Sequence, residues 1–387
     1  MAAVSRRNAG ALAWDGPLAS VAIILAVFGF FMVLSASAPS AEFRLSDGLF
    51  FFKKQVAWGT LGFVAMFLGA GIATERLRVA SKVMIGLSAA FLAATYVPHL
   101  GVSQLGAARW LRLGPMSFQP SEFAKLGMVM YLADVLARKP EGPWTRKDLR
   151  QTVLPVLGLL GLVLFQPDLG TTLILAGIAF AMFLCAGMPL TWLLGGSGVG
   201  LAAAAYHVLH TPYQRDRFLA FVNPWAHSKD IGFQLVQSLL AIGSGGIFGT
   251  GWGQGKEKLF YLPIQHTDFI FAVVGEELGL IGTILVVALF VVLAQRGFSI
   301  AQRARSVHAK LLATGITAGI VFQAFLNIAV VTASVPTTGV PLPFLSFGGT
   351  SLLVTLFSMG LLLGVSRSPR TSGQPLVHFT RRIPSSS

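Results

Sequence analysis

The stretch YLPIQHTDFIFAVVGEELG (261–279) sets three carboxylates, Asp268, Glu276 and Glu277, at the mouth of and within an apolar run. Acids beside hydrocarbon are costly, and an ionisable group there is a functional candidate by default. Asp268 admits two compatible roles. It can cap a helix whose positive dipole end favours negative charge, or it can present a carboxylate to a protein cavity. A two-carboxylate pair inside this stretch is excluded by geometry. Eight helical residues separate Asp268 from Glu276 by a rise of about 12 Å and an offset of ~80°, and Glu277 points nearly opposite. The two glutamates are instead expected to meet polar partners inside a bundle.

Cations cluster elsewhere in the sequence. In QPSEFAK (119–125), Glu122 and Lys125 stand three apart on one helix face and can pair. Arg109, Trp110 and Arg112 precede them, a compact set of cations with an aromatic that suits an anionic lipid headgroup at a membrane interface. YQRDRF (213–218) and GKEKLF (255–260) add Arg215, Arg217, Lys256 and Lys258, which together could bind a diphosphate. Each of these cations, taken singly, could equally be a solvated surface group. Ser346, in PTTGVPLPFLSFGG (336–349), could offer its hydroxyl to a headgroup, although the prolines and glycines around it chiefly set the shape of a cavity wall.

Other chemistries are excluded. The Gly-rich GSGGIFGTGWGQGKEK fails as a phosphate loop, because Thr250 stands where the first glycine is needed and Glu257 follows Lys256. It reads as a partly re-entrant loop. His207, His210 and His266 have no metal-ligand spacing with nearby acids, and Cys185 is the one cysteine of the chain.

The elements that must position these groups are membrane helices. Of 387 residues, 54% are hydrophobic and 11% charged, with a mean hydropathy of +0.71; a soluble chain carries roughly a quarter charged residues. Apolar stretches recur at the length that crosses ~30 Å of hydrocarbon. The expected fold is an all-α polytopic integral membrane protein of about ten transmembrane helices, at 17–38, 55–74, 83–100, 120–137, 152–166, 171–188, 190–210, 268–295, 311–333 and 349–366. With both termini cytoplasmic, 18 Lys/Arg fall inside and 11 outside, five of the latter in the long loop 211–267. This bias agrees with the positive-inside rule and explains the net charge of +14 without nucleic acid. The transmembrane domain is expected at 17–366, between polar cytoplasmic tails at 1–16 and 367–387, with no cleavable signal peptide. All the unusual sequence then faces outward, including 101–119, QPDLG (166–170), 211–267 and 336–349.

Taken together, GAARWL (106–111), QPSEFAK (119–125), QPDLGT (166–171), GSGGIFG (243–249), HTDFIFAVVGEELG (266–279) and PTTGVPLPFLSFGG (336–349) resemble the SEDS family of FtsW and RodA proteins, in family order. GEELG after the Asp motif is closer to FtsW of cell division than to RodA of elongation. Leu105 and Phe347 depart from the family's usual Asn and Tyr, which touches local contacts only. The resemblance implies a peptidoglycan glycosyltransferase that polymerises lipid II, an undecaprenyl-diphosphate-linked disaccharide pentapeptide, into a glycan strand on the outer face of the bacterial cytoplasmic membrane. It further implies a class B penicillin-binding protein as transpeptidase partner, along with other division proteins at the septum. By the same resemblance the catalytic Asp is Asp268, and the functional Glu, Lys and Arg-Trp pair are Glu122, Lys125, Arg109 and Trp110.

The chemistry is consistent with one working carboxylate. A diphosphate is already a good leaving group, so a base on the acceptor hydroxyl suffices. The developing charge needs cations, whether Arg109, Lys125, Arg217 or a bound divalent ion such as Mg2+ or Mn2+. A single displacement inverts the anomeric centre. The competing readings are a lipid flippase or transporter, which requires polar groups through both membrane halves, and a non-catalytic scaffold, which leaves Asp268 without work. Toward the cytoplasmic ends of the expected spans Asp134 is the principal polar exception.

Overall fold

The structure, a computed structural model, describes residues 14–104, 107–113, 116–140, 142–255 and 266–367. It is a helical bundle built from α1 (Gly16–Leu45), α2 (Phe50–Ala70), α3 (Thr74–Ala94), α4 (Pro120–Ala137), α5 (Arg146–Leu164), α6 (Leu169–Cys185), α7 (Leu190–His210), α8 (Pro212–Val222), α9 (Phe233–Gly245), α10 (Ile270–Arg303), α11 (Val307–Val331) and α12 (Gly349–Ser366). Each of the ten expected segments falls on a helix. Six of these helices, α1, α3, α7, α10, α11 and α12, are long and apolar enough to cross a membrane, and α6 is a shorter apolar helix.

The all-α expectation needs one correction. Three strands form a small antiparallel sheet in the order β1 (Gly101–Gln104), β2 (Ala107–Leu113), β3 (Met116–Phe118). Short polar-apolar alternation lets this segment satisfy its backbone by strand pairing rather than as open loop. Two helices, α8 and α9, lie within the long segment expected as a loop.

The core helices are α11 and α12, which are buried along most of their length. Small residues let helices approach where no hydrophobic force drives them together. At Gly360 of α12, a Cβ would sit 2.1 Å from the Met66 carbonyl of α2, so only glycine permits that crossing.

The helix α10 is broken at Gly279, which has φ 66° and ψ −161°, a region reserved for glycine. The break frees backbone groups that hydrocarbon cannot satisfy. The Gly-rich segment before Gly255 supplies their partners. Thr250 N and Gly251 N donate to the carbonyls of Glu276 (2.9 Å) and Glu277 (3.1 Å), while Leu280 N donates to Gly246 O (2.9 Å). The segment expected to be re-entrant is thus a plug for a helix break. Glu277 is buried and accepts from Ser35 Oγ at 2.7 Å, inside the bundle.

Gly279→Ala should destabilise the protein by about 1–3 kcal/mol, the cost of holding a side chain in that backbone region. Gly86→Ala, with nothing near its Cβ position, should stay within about 0.5 kcal/mol. Thermal unfolding of both variants in nanodiscs checks this; equal stability would show that the break does not depend on glycine.

Candidate active site

The polar residues gather at the mouth of the bundle where α4 and α6 begin and α11 ends. Asp268 lies in a turn at 266–269, two residues before α10, whose N-cap position is Phe269 with no side-chain cap. Asp268 is therefore not the cap of α10. The chain turns before helical dihedrals begin, and the carboxylate leaves the helix axis toward two arginines.

The first arginine, Arg109, comes from the sheet. Val102 pairs with Trp110 and Ser103 with Ala108, so Arg109 is the unpaired residue of a bulge in β2. Bulges re-aim side chains beside active sites. Arg109 donates to the carbonyls of Gln166 (3.4 Å) and Pro167 and lies 4.0 Å from Asp168 Oδ2. Asp168 is itself fixed as the N-cap of α6, accepting from Thr171 N at 3.0 Å. The second arginine, Arg217, is delivered by α8. It stacks on Tyr213, 4.6 Å from the ring centre, and donates to Thr337 O at 3.1 Å. One turn earlier on the same helix, Gln214 donates to Pro167 O at 2.8 Å.

These groups converge over Gly339. A Cβ there would lie 3.5 Å from Asp268 Oδ2 and 3.8 Å from Nη1 of both Arg109 and Arg217. Among the described residues neither arginine closes an ion pair on Asp268. Burial pushes the Asp268 carboxyl up to about 6, against the opposing pull of Arg217 and Arg109. A carboxyl in that range is poised to take a proton near neutral pH, beside two cations held ready for an anion.

Lys125 lies apart from this cluster. It donates to Glu122 Oε1 at 2.9 Å and to Gln323 Oε1, with the Glu122 and Lys125 side chains 3% and 11% exposed. The pair lines a cleft with Gln323, Leu126, Ile316 and Val354. Trp110 stays in the sheet opposite Val102. Ser346 is buried, and its hydroxyl accepts from Leu342 N at 2.8 Å and donates to Thr267 O. It is a brace for the turn carrying Asp268, which corrects its expected placement as a headgroup contact. Lys258 and Lys256 lie outside the described residues.

Several contributing residues escaped the sequence reading: Asp168, Gln214, Gln323 and Asn327. Asn327 donates to both Asp268 O and Val340 O at 2.7 Å. The available signal was two polar side chains, Gln323 and Asn327, one turn apart on the apolar helix α11.

Fold and site together define a multi-pass membrane protein with a half-buried carboxylate flanked by guanidiniums at one end of its bundle. The family described as "Cell cycle protein", comprising FtsW, RodA and SpoVE, matches residues 17–371. This chain belongs to that family. It is 40% identical to "Probable peptidoglycan glycosyltransferase FtsW" of Geobacter metallireducens, over 94% of this chain and 96% of that protein. It is 38% identical to "Stage V sporulation protein E" of Bacillus subtilis, over 91% and 97%. Among solved structures, a chain from "Structural coordination of polymerization and crosslinking by a peptidoglycan synthase complex" is 31% identical with a TM-score of 0.77, over 92% of this chain and 98% of that one. The rod shape determining protein RodA of Thermus thermophilus is 30% identical with a TM-score of 0.69, over 92% and 97%.

Glu122→Gln alone should destabilise the protein by about 3–5 kcal/mol, because it strands a buried ammonium. The double variant Glu122→Gln/Lys125→Met should recover most of that loss. Unfolding midpoints in nanodiscs test this, and a double variant no better than the single would remove the ion pair as the cause.

Proposed function

We propose that this protein is a peptidoglycan glycosyltransferase that polymerises lipid II into glycan strands, using Asp268 as the general base. The observation that carries the reading is the half-buried Asp268 carboxylate, which closes no ion pair among the described residues and faces Arg109 and Arg217 across Gly339. The names of the relatives support the activity, and their FtsW designation supports septal wall synthesis in cell division. In this reading ten helices cross the bacterial cytoplasmic membrane, both termini are cytoplasmic, and the 211–267 segment lies outside with the site.

The chemistry follows from the placement. Asp268 accepts the proton of the acceptor sugar hydroxyl as that oxygen bonds to the anomeric carbon of the donor. The bond from that carbon to the undecaprenyl diphosphate breaks, and the electron pair leaves on the diphosphate. The two guanidiniums, already fixed by carbonyl and aromatic contacts, stabilise that charge without reorganising. Attack opposite the leaving group inverts the centre, from an α-linked donor to a β-linked strand. No second carboxylate is required, unlike hydrolysis of an ordinary glycoside.

A Mg2+ or Mn2+ ion fits these residues poorly. Among the described residues no three His, Cys, Asp or Glu side chains converge, and the guanidiniums beside Asp268 repel a cation. We assign the charge-neutralising role to the arginines. Lys125 supports the site rather than contacting the diphosphate. A class B penicillin-binding protein transpeptidase is the proposed partner; the similarity to a chain of a synthase complex supports it.

Polymerisation from purified lipid II, with the partner present, should fall about 10²- to 10⁴-fold in Asp268→Asn. Unchanged strand yield from the folded variant removes Asp268 as the base. Absence of polymer from the native protein, together with passage of labelled lipid II across vesicles, would establish transport instead. The base works ionised, and its pKa is raised, so activity is present above about 6 and lost as pH falls through it. Initial rates should drop about tenfold per pH unit below that point; a profile flat down to about pH 4.5 would contradict this.

A further inference from the structure

We infer that Gln323 and Asn327 are positioning residues, whose side-chain amides hold the 336–341 segment and the backbone of Asp268 in one frame. This rests on the glycosyltransferase reading for its kinetic consequence, though not for its geometry.

The segment 336–341 has no regular secondary structure and crosses the site with Gly339 at the point where carboxylate and guanidiniums meet. Its carbonyls must find partners outside a ladder or helix. Three are taken by side chains: Thr337 O by Arg217 at 3.1 Å, Val340 O by Asn327 at 2.7 Å, and Pro341 O by Gln323 at 2.9 Å. Asn327 spends its second amide hydrogen on Asp268 O at 2.7 Å. A primary amide has two donors, and here one amide ties the base to the wall it faces. Aspartate at this position offers only acceptors to two carbonyls, and leucine offers nothing.

Gln323 extends the frame downward. Its Nε2 holds Pro341, while its Oε1 accepts from Lys125, which is held in turn by Glu122. The Glu122–Lys125 pair therefore reaches the site through Gln323, fixing which way that amide points. An error of ~1 Å in the placement of a reacting group can cost about 100-fold in rate, so loss of the frame is read in turnover.

The test combines two readouts on Asn327→Leu and Gln323→Leu in nanodiscs. Backbone hydrogen exchange should rise about tenfold or more across 337–345, with α2 and α12 unchanged as a check on folding. For lipid II polymerisation, kcat should fall about 10- to 100-fold, with KM within about threefold. Adding Glu122→Gln/Lys125→Met to Gln323→Leu should lower kcat no further. Unchanged exchange across 337–345 overturns the proposal, as does a loss carried in KM or a multiplicative loss in the combined variant. Faster exchange in a protein whose native form makes no polymer upholds the frame and rejects the glycosyltransferase reading.

Discussion

Every backbone amide and carbonyl within a membrane bundle must find a partner in the protein, because hydrocarbon offers none. The structure meets this constraint at two places where the chain departs from helix. At Gly279 the break in α10 is closed by the backbone of the Gly-rich segment, Thr250 and Gly251 taking the carbonyls of Glu276 and Glu277. Along 336–341 the partners are side chains from α8 and α11 instead. The first solution gives a rigid scaffold. The second leaves one face of Gly339 to the side chains of Asp268, Arg109 and Arg217.

The arginines belong to the same scheme. Arg109 and Arg217 hydrogen-bond carbonyls at Gln166, Pro167 and Thr337, which orients them without neutralising their charge. A guanidinium has five N–H donors, so contacts of this kind leave hydrogens for an incoming anion. Asp168 sits 4.0 Å from Arg109 but is engaged as the cap of α6. Two arginines and two acids thus meet there, and Asp168 opposes the pull of the arginines on the half-buried Asp268. Burial pushes its carboxyl up, and Arg217 and Arg109 work against that push.

Much of this was legible in the sequence, and for a physical reason. Hydropathy set each expected segment on a helix, six of them long and apolar enough to cross a membrane, because hydrocarbon imposes length and composition directly. Asp268, Arg109 and Arg217 stood out as charges near apolar runs. Arg109 and Arg217 were expected as companions of Asp268, but the geometry of their meeting was not legible, since it depends on a bulge in β2 and on the turn at 266–269, both fixed by tertiary pairing. Ser346 was misplaced because a hydroxyl beside a Pro- and Gly-rich segment reads the same whether it faces a ligand or braces a turn. Gln323 and Asn327 carried a visible signal, two amides one turn apart in an apolar helix, yet their partners are carbonyls that no pattern of side chains announces.

The opposite end of α4 supplies an internal comparison. Among the described residues Asp134 is as deeply buried as any acid, and it too faces two arginines. There the contacts are closed: Arg138 Nε at 2.8 Å, Arg78 Nε at 3.1 Å and Ser81 Oγ at 3.3 Å. An acid so engaged ties α3 to α4 and has little capacity left for a ligand. Asp268 has the same residue types around it at longer range, with its arginines anchored on backbone instead. Composition alone therefore does not separate a closed ion cluster from one whose arginines are anchored on backbone; the geometry of the cations does. This asymmetry also bears on transport. A carrier needs exchangeable polar groups toward both membrane faces, whereas here the acid at one end, Asp134, is closed on its own neighbours.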